Sequence, residues 1–172
     1  MDFETYKGSK TERKINMANV GKDLALISAG SSENFNAMTI MYGAVGMIWS
    51  KNAYFSFIKP ERYTFDFIQA NDFFTVSYFP KEFNKIHKIF GFKSGRDMDK
   101  IAATGITPEF IDNYITFKEA NEFFLCKKIY FKQMDKNFEP ADVVAKYSDP
   151  KDIIYGESHY ALIGEIEKHI VR

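Results

Sequence analysis

The sequence predicts a mainly β domain, a small barrel with helical inserts, and three observations carry that prediction. At 172 residues the chain has the length of one domain, long enough to bury a core without cross-links. Its 18 Phe and 10 Tyr are many for that length, and large aromatic side chains favour strands and bury much area. Short apolar stretches rich in β-branched and aromatic residues recur between Gly, Asn and Pro, the punctuation of strands and turns.

Residues 1–20 are polar and charged and read as an N-terminal arm or short helix, with the domain proper at 21–172. Strands are expected at 24–28, 37–41, 53–58 and 73–79. Between the last two, 62–71 reads as a short helix that turns Phe65, Phe67 and Ile68 inward, with Pro60 setting up its start. Over 81–90, Phe83, Ile86, His87 and Phe90 recur at i, i+3, i+4 and i+7, one face of a helix. Residues 96–103 read as another short helix, stopped by Gly105 near Pro108. Residues 121–134 form a long strand or hairpin arm, with Phe123, Leu125, Ile129 and Phe131 on one face and Lys127 beside them at a rim. A surface helix is expected at 140–147 and a last strand at 160–166. No repeat, linker or low-complexity tract divides the chain.

Composition narrows the function classes. Lys plus Arg equals Asp plus Glu at 23 each, so no overall field draws the protein to nucleic acid or to a membrane surface. The longest apolar run, residues 44–49, is too short to span a bilayer, and Met1-Asp2-Phe3-Glu4 lacks the pattern of a signal peptide. A single Cys fits a reducing compartment, and the expected location is cytoplasmic. Neither His-Glu-x-x-His, Cys-x-x-Cys nor Gly-x-Gly-x-x-Gly occurs, so neither zinc nor a dinucleotide fold is predicted.

Three short patches could carry chemistry. Arg62-Tyr63-Thr64 opens a helix, where free amides, a guanidinium and a hydroxyl suit a phosphate, or equally form a cap and a surface ion pair. Ser94-Gly95-Arg96 repeats that chemistry, with Arg96 and Lys100 at i and i+4; Asp97 and Asp99 either neutralise these cations or cap the helix. Asn36, Ala37, Met38, Thr39 and Ile40 lead into a strand with amides, one hydroxyl and apolar support, suited to a flat heterocycle or to an ordinary loop-to-strand transition. Trp49 is a ligand stacker, a core residue or a dimer anchor. His159 stands before the last strand, where the mouth of a barrel binds ligands; His87 reads as a core-edge histidine, His169 as a solvated one and Cys126 as structural.

In order along the chain, these patches together resemble the flavin reductase-like, FMN-binding split-barrel family, and within it the flavoredoxin-like branch. The resemblance rests on residues 36–40, Arg62-Tyr63-Thr64, Ser94-Gly95-Arg96-Asp97-x-Asp99-Lys100 and Ala103-Thr104-Gly105-Ile106-Thr107-Pro108. Glu119-Ala120 and His159-x-x-x-x-Gly164-Glu165-Ile166 complete it. It implies a homodimeric split β-barrel holding FMN non-covalently near the subunit interface. Asn36 to Ile40 would line the ring, with Thr39 on its polar edge. Arg62, Tyr63 and Thr64 would face the phosphate and ribityl side, helped by Ser94, Gly95, Arg96 and Lys100, and His159 would lie near the flavin. Two departures, Lys59 where Arg is common and Met41-Tyr42 after the first motif, bear on the substrate side. The implied function is an NAD(P)H-dependent flavin reductase with a flavin or redox-protein acceptor. The alternatives are an FMN electron carrier reduced by a protein partner and a vestigial binding dimer.

Overall fold

In a computed structural model, residues 23–135 and 158–172 are described, together with 137, 140–142 and 145. The N-terminal arm, and most of the surface helix expected at 140–147, lie outside the described residues. Strands β1 (Ala25–Gly30), β2 (Phe35–Ile40), β3 (Gly43–Ile48) and β4 (Lys51–Ile58) come first, followed by helix α1 (Tyr63–Ala70) and β5 (Phe73–Tyr78). A 3₁₀ turn (Lys81–Phe83) leads into α2 (Ile86–Phe92) and α3 (Lys100–Thr104). The short hairpin β6 (Pro108–Ile111) and β7 (Tyr114–Phe117) precedes the long strands β8 (Glu122–Gln133) and β9 (Tyr160–Val171).

Among the described residues, seven strands form one antiparallel sheet in the order β2-β1-β5-β8-β9-β4-β3, while β6 and β7 pair only with each other. The two edge strands, β2 and β3, are consecutive in the chain, joined by Met41 and Tyr42 alone. Three Cα–Cα steps reach at most about 11 Å, so the twisted sheet must curl until its two edges nearly meet. They approach without a hydrogen-bonded ladder, and this is the seam of a split barrel.

Strand alternation sends side chains to two separate apolar layers. Ala25, Ile27 and Ala29 face one layer with Tyr54, Phe74, Phe124, Cys126 and the inner side of α1. Leu26 faces the other, with Phe117, Phe123, Leu125 and the α2 residues Ile86 and Phe90. Two polar stitches hold the β6–β7 hairpin over this second layer: Ser28 Oγ donates to the Ile115 carbonyl at 2.5 Å, and the Ser77 and Thr116 hydroxyls lie 3.0 Å apart. Central strands buried on both faces explain the abundance of aromatics.

Several expectations change. The shared face of Phe123, Leu125, Ile129 and Phe131 is broken, because β8 shifts register against β9 at Leu125/Cys126 and again between Lys128 and Tyr130. Phe131 consequently packs with the first layer, opposite Phe123 and Leu125. The helix expected at 96–103 starts only at Lys100, since the Asp99 carboxylate accepts from the amides of Ile101 and Ala102 and caps it there. Gly105 ends it in a left-handed conformation, φ 71°. His169 is only partly exposed: it bonds Glu122 at 2.8 Å and stacks on Phe124. Trp49 is not a core residue but sits at the tip of the β3–β4 hairpin, 67% exposed. There it and Ser50 take positive φ as a two-residue hairpin turn requires.

Candidate functional site

A cavity of about 520 Å³ lies at the connector end of the seam, on the β2 side. β2 contributes Met38, Thr39 and Ile40, the connector Met41 and Tyr42, β4 and its exit Phe57 and Lys59, and the start of α1 Arg62. His159 enters from the residue before β9, while Asn84, His87, Lys88, Gly91 and Phe92 come from α2 and its approach. This volume lies in the range of small-molecule sites. Its floor and rim are mainly apolar, and its charged lining is entirely cationic: Lys59, Arg62 and Lys88, with no carboxylate. In a protein with equal numbers of acidic and basic residues, that local imbalance suits a flat apolar ligand with an anionic end.

Each side chain has a local reason for its place. β2 is a sheet edge, and the Ala37 carbonyl accepts from Lys100 Nζ at 2.5 Å, so it points away from β1. By two-residue alternation the amide and carbonyl of Thr39 also face outward, unpaired by the ladder among the described residues. The Thr39 hydroxyl is engaged with α2: it donates to the His87 carbonyl at 3.1 Å and lies 3.3 Å from His87 Nδ1. Arg62 reaches the C-terminal end of α2, donating from Nη1 to the Gly91 carbonyl at 3.2 Å, and its other donors remain available.

A second cavity of about 410 Å³ lies beyond the other end of β2, lined by Asn36, Ala37, Tyr63, Gly95 and Lys100 among others. Lys100 is 5% exposed, sits 5.1 Å from the Phe90 ring centroid and has no ion-pair partner among the described residues. Burial, and then the nearby Arg62 charge, push its pKa down to about 8. A buried cation next to another cation is costly unless an anion compensates both.

The predicted residues thus divide. Met38, Thr39, Ile40, Arg62 and His159 meet at the seam; Asn36, Ala37, Tyr63, Gly95 and Lys100 line the second cavity. Thr64 is buried and accepts from Asn36 Nδ2 at 2.9 Å, so it braces the loop. Gly95 is required by the same neighbour, since a Cβ there would lie 2.6 Å from Asn36 Oδ1. Ser94 and Arg96 line neither cavity. Ser94 Oγ accepts from the Arg96 amide, while the Arg96 side chain pairs with Asp66 at 2.6 Å and lies over the Tyr63 ring. The expected pairing of Arg96 with Lys100 on one helical face fails because Arg96 precedes the capped helix. Sequence reasoning missed Lys88, Phe57 and Phe92 and set His87 at the edge of the core. The periodicity of α2 shows its apolar face but not which strand edge its flank lies against.

Among the described residues no helix is long and apolar enough to cross a membrane, and no cluster of three or more His, Cys, Asp or Glu could hold a metal ion. No curated protein sequence matches the chain. Solved structures share its fold. Flavoredoxin of Desulfovibrio vulgaris (Miyazaki F) is 18% identical with TM-score 0.66, over 87% of this chain and 69% of that one. An FMN-binding protein from Thermus thermophilus is 14% identical with TM-score 0.66, over 87% and 70%. An NADH:FAD oxidoreductase from Streptomyces globisporus C-1027 is 13% identical with TM-score 0.61, over 87% and 74%. The flavin reductase like domain matches residues 17–136, most of the chain. With the seam between β2 and β3 and this match, the chain belongs to the flavin reductase like domain family and has its split-barrel fold.

Proposed function

We propose that the seam cavity holds FMN non-covalently and that the protein is an NAD(P)H-dependent flavin oxidoreductase delivering electrons to a flavin or redox-protein acceptor. The observation that carries this is the carboxylate-free, cationic polar lining over an apolar floor. Bound FMN supplies the capacity to take up a hydride and pass electrons on. The chain's own residues orient it: Met38, Ile40 and Met41 support the ring, the outward amide of Thr39 meets its polar edge, and Arg62 with Lys100 compensates the phosphate. His159 faces the ring from the β9 side. Exposed Met47 and Trp49 on the β3–β4 hairpin are the surface on which a homodimer would form.

A second reading, an FMN carrier reduced by a protein partner, is favoured by one feature. Lys81, Lys85, Lys88 and Lys93 all lie exposed around α2, and none is ion-paired among the described residues. Anaerobic mixing separates the two. Yellow protein that bleaches rapidly with NADH or NADPH is the reductase; yellow protein that does not bleach is the carrier. Protein that stays colourless after FMN addition and desalting is neither.

Two expectations attach to this site. His159→Ala should retain FMN but reduce it more slowly, by about 10- to 100-fold if the imidazole assists hydride or proton transfer; an unchanged rate in stopped flow removes it from the mechanism. FMN affinity should fall by about tenfold between pH 7 and 9, as free-protein Lys100 loses its proton near its depressed pKa. The FMN phosphate stays dianionic over that range, so the loss comes from the protein. Fluorescence titration of Lys100→Met should give weaker binding with a flatter pH profile; an unaltered profile in that variant excludes the lysine.

A further inference from the structure

We infer that His87 is a ligand-reading residue of the seam cavity, accepting through Nε2 a hydrogen bond from the imide N–H on the pyrimidine edge of the flavin. The inference rests on the reading of this cavity as a flavin site.

The geometry assigns the tautomer. The Thr39 hydroxyl has one proton and places it on the His87 carbonyl, 3.1 Å away. The same oxygen lies 3.3 Å from His87 Nδ1. Two lone pairs at that distance would repel, so Nδ1 carries the ring proton and donates to Thr39, leaving Nε2 as an acceptor. Phe79 meets the imidazole edge-on, with ring centroids 6.1 Å apart, and fixes the plane of the ring.

Nε2 has no hydrogen-bond partner among the described residues. Nor is it among the sealed, unpaired polar atoms, which are Ser56 Oγ, Thr75 Oγ1 and Ser158 Oγ. His87 is only 5% exposed and lines the cavity, so the open side of its ring is the cavity. Burial also lowers the pKa of the imidazole, which keeps it neutral near pH 7.

The surroundings specify what this acceptor meets. Lys59, Arg62 and Lys88 can only donate. A ligand presenting carbonyls alone would be satisfied by them, whereas an acceptor held among donors answers an N–H or O–H. An imide edge presents acceptor, donor, acceptor. The outward Thr39 amide, His87 Nε2 and a neighbouring cation would present donor, acceptor, donor, and the Thr39–His87 contact brings the first two residues together at the cavity wall. A wrong group opposite a buried acceptor leaves it unpaired, which is how such a site discriminates.

The test compares FMN with N3-methyl-FMN, in which the imide proton is replaced by a methyl group. Wild-type protein should bind the methylated flavin at least about tenfold more weakly. His87→Phe should bind the two with nearly equal affinity, and His87→Gln, which restores an acceptor, should recover part of the preference. Nitrogen-15 NMR of histidine-labelled wild-type protein needs no variant. It should show the Nδ1–H tautomer at His87, with the Nε2 signal moved by FMN and not by N3-methyl-FMN. Equal binding of both flavins by wild type, an undiminished preference in His87→Phe, or an Nε2–H tautomer overturns the assignment while FMN binding stands. Failure to bind FMN at all overturns the flavin reading, and this assignment with it.

Discussion

Gly164→Ala is expected to destabilise the protein by about 1–3 kcal/mol, the range for forcing a methyl group into a filled core. Gly164 lies in β9 opposite Tyr54 of β4 and Lys128 of β8. A Cβ at this position would fall 2.5 Å from Phe74 Cε1 and 2.8 Å from Cys126 Cβ, with Phe74 Cζ nearer still. Phe74 is 2% exposed and enclosed by the first apolar layer, so its ring has nowhere to swing. Cys126 Cβ is fixed by the backbone of β8 at the register shift. Thermal unfolding followed by circular dichroism should show a midpoint several degrees below wild type. Gly46→Ala is the control: its added Cβ would meet only Phe55, at 3.4 Å, and should leave the midpoint nearly unchanged. Equal midpoints for both variants would mean that the Phe74 layer yields more readily than its burial implies.

The second large effect is on the ligand. Arg62→Ala should weaken FMN binding by about 10- to 100-fold, the cost of losing a charge-assisted hydrogen bond of about 1.5–3 kcal/mol. Arg62 bonds the Gly91 carbonyl at the end of α2, and its charge adds to burial in depressing Lys100. Its removal should relieve Lys100 of a repelling neighbour and move the pH midpoint of FMN binding upward. The reduction rate of the fraction that still holds FMN should change little, as the phosphate role proposed for the guanidinium implies. Retention equal to wild type after desalting would count against the phosphate role.

Membership of the flavin reductase-like family ties the chain to flavin redox chemistry, and much of that was legible before any coordinate. β1, β2, β4 and β5 lie where β-branched and aromatic runs put them, within the one or two residues by which strand ends vary. β3 was not legible: Gly43, Ala44 and Gly46 look like a loop, and only pairing with β4 makes them a strand. The β6–β7 hairpin was hidden likewise, because it begins at Pro108, just past the Gly105 helix stop, and Asp112 turns the chain with φ 53°. Alternation failed in β8 for a different reason: a bulge reverses every face beyond it and leaves no mark in composition. Of the residues that line the cavity, Arg62, Thr39 and His159 were legible as candidates because charge and turn chemistry announce themselves locally. His87 carries no such mark, and its significance arises from a flank of α2 meeting the free edge of β2, a juxtaposition made by tertiary structure alone.

The Met41–Tyr42 connector behaves as a clasp. Because it ties the two free sheet edges directly, the widest opening of the slot at that end is limited by backbone length and not by side-chain packing. Substitutions at Met41 or Tyr42 would reshape the lining while leaving that limit in place. Each residue inserted between them would extend it by about 3.5 Å. The gap between the two sheet edges at that end is therefore set chiefly by the number of residues in the protein's shortest link.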